Sequence, residues 1–484
     1  MSAVQTTIRI ASGEVAGTGG EVREYRGVPY AAPPVGRLRW RPPEPVEPWT
    51  GVRDVTRFGP DPIQIVAANP AGNSLAPGTS EDCLNLNIWA PAIVPAGGAP
   101  VLVGFAGGGY VSGSASRDGT VGDAFARRGI LLVTVNYRVG VFGFLAHPAL
   151  TAESPQRSSG NYGLLDALAA LRWVRENVAA FGGDPQRVTT IGGSAGAALA
   201  ATLLTSPLAK GLVDGAIMRS PSSLRPLPTL ARAEEAGRQL GDDLTALRAL
   251  PADTLLGFNG KLNAGPRSLL ALRSLRTIVD GWVIERDEAE SYRTGAFEAV
   301  PTIVGQNVNE GGSFLGNAPM KTPAELRAFL DEGFGALAGD AWRVYGAATD
   351  ADVERAASDM WSDAMFSYSV RGLARAIAAR QPKTFRYVFT HAGAKKQRPP
   401  VHGDEVPFAY GTGDFDPRDR AVSDAMVAAF SNFAATGDPN GPGAPNWPRY
   451  DPERDNHLVF AETPVEGSRF RAGGAELVER FYRR

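Results

Sequence analysis

The sequence predicts an α/β fold in which helices flank a large, mostly parallel central sheet. Apolar, strand-like runs recur along the chain: PVLVGFA (100–106), ILLVTVNY (130–137), RVTTIGG (187–193), PTIVGQN (301–307) and TFRYVFT (384–390). Between the second and third lies GLLDALAALRWVRENVAAF (163–181), whose Leu, Ala, Trp and Val residues recur at helical spacing. The strand runs are nearly continuous in apolar residues, the pattern of a sheet covered on both faces. In such sheets ligands collect beyond the carboxyl ends of the strands.

Taken in order, the opening MSAVQTTIRIASGEVAG alternates like a strand and lacks the basic segment and apolar run of a secretory leader. Residues 225–300 and 320–380 read as Ala/Arg-rich, mainly helical insertions that cap the sheet. No flexible linker divides residues 1–484, so one domain is expected. The tail GDPNGPGAPNWPRYDPERDNH (437–457) is turn-rich, and its Trp447 and Tyr450 are expected to pack on the surface of the core.

Composition narrows the function. Forty-three per cent hydrophobic residues in a chain of 484 suffice for a large interior. Lys+Arg 49 against Asp+Glu 51 gives a net charge of −2, no footprint for nucleic acid or an anionic membrane. A small-molecule partner is expected instead. The one cysteine, Cys83, has no intrachain partner for a disulfide. No apolar run approaches the ~20 residues that span a bilayer. These features predict a cytoplasmic protein, with oligomeric state left open.

Three short stretches carry chemistry. TTIGGSAGAAL (189–199) places Ser194 in a G-x-S-x-G turn after a strand and before a small-residue helix. Such a turn pushes the hydroxyl out toward a substrate, at a φ/ψ that flanking Cβ atoms would obstruct. GFAGGGYVSGS (104–114) follows a buried strand with Gly107, Gly108 and Gly109. Read blandly it is a flexible turn; beside the serine it reads as a loop of N–H donors for a developing oxyanion.

A serine nucleophile needs a base, and the chain has four histidines. His147 sits before a proline in an apolar stretch and reads as structural. His391 and His457 admit a reading as solvated loop residues. His402, in PPVHGDEVPFAYG, lies late in the chain on a Pro/Gly-flanked loop, and chain order and context favour it. The acid is expected between serine and histidine, where VGQNVNEGGSF (304–314) places Glu310 beyond a strand. No H-E-x-x-H or paired-cysteine pattern occurs, so no metal and no cofactor are expected.

Together these motifs resemble the type-B carboxylesterase family of the α/β-hydrolase superfamily, the group of the bacterial p-nitrobenzyl esterases. The likeness begins at EYRGVPYAAPPVGRLRWRPPEP (24–45) and continues through SEDCLNLNIWAP (80–91) and NYRVGVFGFL (136–145). It then runs through GNYGLLDALAALRWVRENVAAFGGDPQRVTTIGGSAG (160–196) and SPLAKGL (206–212) to NFAATGDPN (432–440). The resemblance implies an α/β-hydrolase fold with a helical cap over the active site and a Ser-His-Glu triad of Ser194, His402 and Glu310. It also implies oxyanion donors at Gly108, Gly109 and Ala195, and a supporting serine for the acid at Ser220.

Two positions depart from the family. Ala106 stands where a His or aromatic residue usually precedes the triple glycine, and Gly193 where a Glu usually precedes the serine. These imply a roomier, less anionic pocket with no preference for cationic alcohols. Phe314, Phe366 and Tyr410 are further pocket candidates, with core packing as the alternative role. Cys83 matches a position often disulfide-bonded in the family, but FGPDPIQ (58–64) holds no partner, so a buried inert thiol is expected. The function implied is cleavage of carboxylic esters through an acyl-enzyme. Amide or carbamate cleavage on the same triad is the alternative, and a non-catalytic binding module the third reading.

Overall fold

The computed structural model describes residues 5–65, 72–262, 274–317, 320–396 and 398–483. The chain opens with β1 (Gln5–Ile10), β2 (Gly13–Thr18), β3 (Val22–Pro29) and β4 (Val52–Asp54). Strands β5 (Asp61–Pro62) and β6 (Thr79–Ser80) pair separately. The central strands are β7 (Asn85–Pro91), β8 (Ala99–Phe105), β9 (Leu131–Val135), β10 (Gly183–Gly193) and β11 (Gly215–Arg219). Then follow β12 (Thr302–Asn307), β13 (Thr384–Phe389), β14 (Asn456–Phe460) and β15 (Val465–Ser468).

Thirteen strands form one sheet in the order β1-β2-β3-β7-β9-β8-β10-β11-β12-β13-β14-β15, with β4 beside β2. From β9 to β14 every neighbouring pair is parallel, and β1/β2, β2/β3, β3/β7, β7/β9 and β14/β15 are antiparallel. The parallel centre follows from residue choice: every residue of β8, β9, β12 and β13 is buried, as strands covered on both faces must be.

Alternate side chains feed two cores. Ile191, Ile217, Ile303 and Phe385 pack on one face, with Phe430 and Phe433 of the helix Pro417–Thr436. Val188, Met218 and Val304 point to the other, where Leu164, Leu168 and Leu171 of the helix Tyr162–Asn177 lie. Burying each such side chain stabilises the fold by roughly 1.5–3 kcal/mol. The first helix ends at Thr436, where Gly437 takes the left-handed conformation (φ 71°) that terminates many helices.

Each of the five strand-like runs read from the sequence coincides with a strand of this sheet. Within 225–300 the helices are Leu230–Gly237, Leu244–Ala249, Ala252–Leu262 and Glu288–Thr294, and residues 263–273 lie outside those described. Within 320–380 they are Pro323–Phe334, Ala338–Tyr345, Asp350–Ser362 and Tyr368–Ala378. Trp447 and Tyr450 pack into the core: both are buried, and the Trp447 indole donates to the Arg386 carbonyl at 3.0 Å. Cys83 is buried and unpaired, and burial pushes its thiol well above the usual range. Among the described residues no helix is long and apolar enough to cross a membrane.

Candidate active site

Ser194 sits on the turn between β10 and the helix Ala195–Leu203, at φ 55° and ψ −123°. A non-glycine residue rarely holds a positive φ, so the surroundings must impose it. They do so through close approach. A Cβ on Gly192 would lie 2.4 Å from the Gly196 carbonyl carbon, and one on Gly196 would lie 2.1 Å from the Phe105 carbonyl oxygen. The Ser194 amide donates to the Arg219 carbonyl at 2.9 Å, locking the turn to β11.

The triple-glycine loop lies against this turn. A Cβ on Gly107 would meet the Gly193 carbonyl oxygen at 2.5 Å, and one on Gly108 (φ 140°) the Ser112 carbonyl oxygen at 2.3 Å. Gly109 has φ 62°. Val111 and Ser112 both donate to the Gly108 carbonyl at 3.1 Å, closing the loop on itself. Among the described residues the N–H groups of Gly108, Gly109 and Ala195 donate to no internal acceptor.

Glu310 follows β12 and is wholly buried. Its Oε1 accepts from the Asn307 amide at 2.6 Å and the Asn307 side chain at 3.3 Å, and also from the Ser220 hydroxyl. Its Oε2 lies 2.6 Å from His402 Nδ1. Ser220 is itself held at φ 50° just past β11, its amide donating to the Gly305 carbonyl at 2.7 Å. The His402 ring stacks on Phe366, centroids 4.5 Å apart and planes at 27°, with Phe314 at 5.5 Å. Burial opposes protonation of His402, but the charge and hydrogen bond of Glu310, with Glu405 behind, outweigh it and raise its pKa.

Ser194 and His402 line one cavity of about 360 Å³, together with Gly107, Gly108, Gly109 and Ala106. No hydrogen bond joins Ser194 Oγ to the imidazole, a contact that commonly tightens only when substrate is bound. Gly193, Phe314 and Tyr410 also line the cavity, whereas Phe366 supports it from behind the imidazole. Arg219, rather than open space, borders Gly193: a Cβ there would lie 3.2 Å from Arg219 Nη2.

The other histidines are elsewhere, and two readings of them need correction. His147 is buried and caps the helix Pro148–Glu153, accepting from the Ala149 amide at 3.1 Å. His391 is not a solvated loop residue: its side chain is buried against Asp419, 2.6 Å away. Nor is His457, which lies buried within β14 and is pushed down to about 4, first by burial and then by the Arg386 charge.

Sequence reasoning missed Glu405 and Arg219. Glu405 Oε1 pairs with Arg219 Nη1 at 3.1 Å and its Oε2 accepts from Asn307 Nδ2 at 2.5 Å, both carboxylate and guanidinium being buried. The Arg219 guanidinium also lies over the Tyr410 ring. Asn307 therefore bridges the two carboxylates near His402. Nothing local in PPVHGDEVPFAYG distinguishes Glu405 from a solvated acid.

The chain matches the profile of the Carboxylesterase family over residues 4–473. It is 42% identical over 470 residues to "Fumonisin B1 esterase" of Sphingopyxis macrogoltabida, covering 94% of this chain and 86% of that protein. It is 33% identical over 499 residues to human "Cocaine esterase", covering 95% and 87%. Its fold is similar to that of a solved PNB esterase, with a TM-score of 0.84, 30% identity, and coverage of 98% of this chain and 100% of that one.

Proposed function

This chain belongs to the carboxylesterase family and is a carboxylic ester hydrolase, and from that premise we propose that Ser194, His402 and Glu310 form its catalytic triad. The single observation that carries the assignment is the 2.6 Å contact between Glu310 Oε2 and His402 Nδ1, at the edge of the cavity that Ser194 lines.

The reaction follows from the roles the geometry supports. Ser194 Oγ attacks the ester carbonyl carbon while His402 Nε2 takes the hydroxyl proton. Glu310 holds the Nδ1–H tautomer and stabilises the imidazolium. The carbonyl oxygen becomes an oxyanion facing the N–H groups of Gly108, Gly109 and Ala195. One such donor is typically worth ~10²–10³ in rate. His402 then gives its proton to the departing alcohol. Water, deprotonated by the same imidazole, attacks the acyl-enzyme and releases the acid.

The test is labelling by a fluorophosphonate, with kinetics on p-nitrophenyl esters, matching anilides, phenylcarbamates and fumonisin B1, the last because of the relative 42% identical to this chain. Labelling should map to Ser194 and vanish in Ser194→Ala, with ester turnover falling roughly 10⁴-fold or more. Esters should outrun anilides and carbamates. Unlabelled Ser194 would overturn the triad, and faster anilide or carbamate turnover would overturn the preference for esters.

A further inference from the structure

The cavity that holds Ser194 is lined by four arginines, Arg117, Arg219, Arg225 and Arg276, and by one carboxylate, Glu405. Arg219 pairs with Glu405 at 3.1 Å, and Arg117 lies in the field of Asp61 and Asp118. Arg225 donates through Nε to the Tyr482 hydroxyl at 3.3 Å.

Arg276 is 7% exposed, and its Nε, like that of Arg219, is buried with no hydrogen-bond partner among the described residues. Among the described residues no carboxylate oxygen comes within 4.0 Å of its guanidinium. The groups that face it are Arg225, Glu288, Tyr110 and Tyr482. Burial and then the like charge of Arg225 both press against its protonated form. The acid among them, Glu288, is buried and accepts from the Leu224 amide at 3.3 Å and the Thr202 hydroxyl at 3.5 Å. Burial, outweighing the Arg276 charge, raises Glu288 to about 7, so even this acid is only partly ionised near neutrality.

A guanidinium keeps its proton throughout the pH range of a folded protein, and burying one without a paired anion is unfavourable. This one opens on the cavity where the substrate must lie, and its charge reaches Tyr110, the residue after Gly109. Its planar fork matches a carboxylate, which accepts two parallel N–H bonds.

We propose that the substrate carries a free carboxylate beyond the scissile ester, as the hemiester of a dicarboxylic acid does, and that Arg276 receives that carboxylate with Arg225 reinforcing the charge. The proposal rests on Ser194 being the nucleophile of the same cavity. It makes Arg276 a specificity-determining residue, with no part in bond breaking.

The experiment compares monobutyl glutarate with the neutral butyl ester in which an isopropyl group replaces the free carboxylate. The hemiester should have the higher kcat/KM, by about tenfold or more, and its KM should rise with added salt while that of the neutral ester does not. Arg276→Gln should cut the hemiester-to-neutral ratio by about tenfold or more, mainly through KM, and Arg276→Lys should restore part of it. Free glutarate should compete with the neutral ester in the wild type and lose potency in Arg276→Gln. Equal turnover of the two esters, or an unchanged ratio in Arg276→Gln, overturns the proposal and leaves the triad standing. Fluorophosphonate labelling of Ser194 without hemiester cleavage does the same. Absence of labelling together with absence of any ester cleavage overturns the triad reading and this one with it.

Discussion

His402 gathers opposing influences on one proton. Burial disfavours its charge, and Glu310 more than compensates, so the pKa lies above the ordinary 6.5. As the proposed base, His402 acts only when neutral, so kcat/KM should fall as pH drops through that raised value. Glu310→Gln removes the charge that raises it and leaves the burial. The acid limb of the pH profile should therefore move to lower pH while kcat falls on the order of 10⁴-fold. An unmoved limb would show that Glu310 does not act on His402. At this scale the serine was legible because its signature is local, three glycines within two residues of it on either side. Glu405 was not, because its partner Arg219 lies 186 positions away and only folding brings them together.

The turn at Ser194 depends on how closely β8, β10 and the helix Ala195–Leu203 approach, and small residues alone permit that approach. Gly196→Ala places a methyl group against the backbone of β8, a neighbour that cannot rotate away. Thermal and denaturant melts should show a loss of roughly 1–3 kcal/mol, together with a drop in activity as the turn is displaced. A variant as stable and as active as the parent would show that the turn tolerates a wider gap. Strand β7, NLNIWAP, escaped a reading based on apolar runs because two asparagines interrupt it. The structure satisfies Asn87 internally: its Nδ2 donates to the Ala115 carbonyl at 3.1 Å and to Thr134 Oγ1 at 3.2 Å. The irregular stretch after residue 274 has a similar cause. Asp280 accepts from the Ile284 amide at 2.8 Å and from the Ser158 hydroxyl at 2.6 Å, bonds that compete with a helix.

Across the whole molecule, a buried ionic cluster ties the far edge of the sheet to the helix Tyr368–Ala378. Asp455 accepts from Arg386 Nη1 and Arg371 Nε at 2.8 Å each, and from the Tyr450 hydroxyl at 2.8 Å. Burial works against the Asp455 charge, but the two arginines prevail and hold its pKa below the usual range. His457 lies beside this cluster and stays neutral down to about 4, against 6.5 when unfolded. The unfolded chain thus takes up a proton there that the folded chain refuses. The stabilisation is complete above pH 6.5 and is lost as pH falls from 6.5 toward 4, by about 3 kcal/mol in all. Urea unfolding across that window should show the decline, and His457→Gln should flatten part of it. A slope unaffected by His457→Gln would place the acid sensitivity elsewhere.

By itself, the sequence determined the α/β class, the strands with unbroken apolar runs, the glycine-flanked turn at Ser194 and the family, because each is written in neighbouring residues or in motifs that keep their order. Only the tertiary structure decided which histidine meets Glu310, that Asn307 joins two carboxylates, that Arg219 borders Gly193, and that Arg276 stands buried with no carboxylate partner among the described residues. Burial and electrostatic pairing act through space, and a side chain's charge acquires its meaning from whichever distant segments the sheet brings beside it.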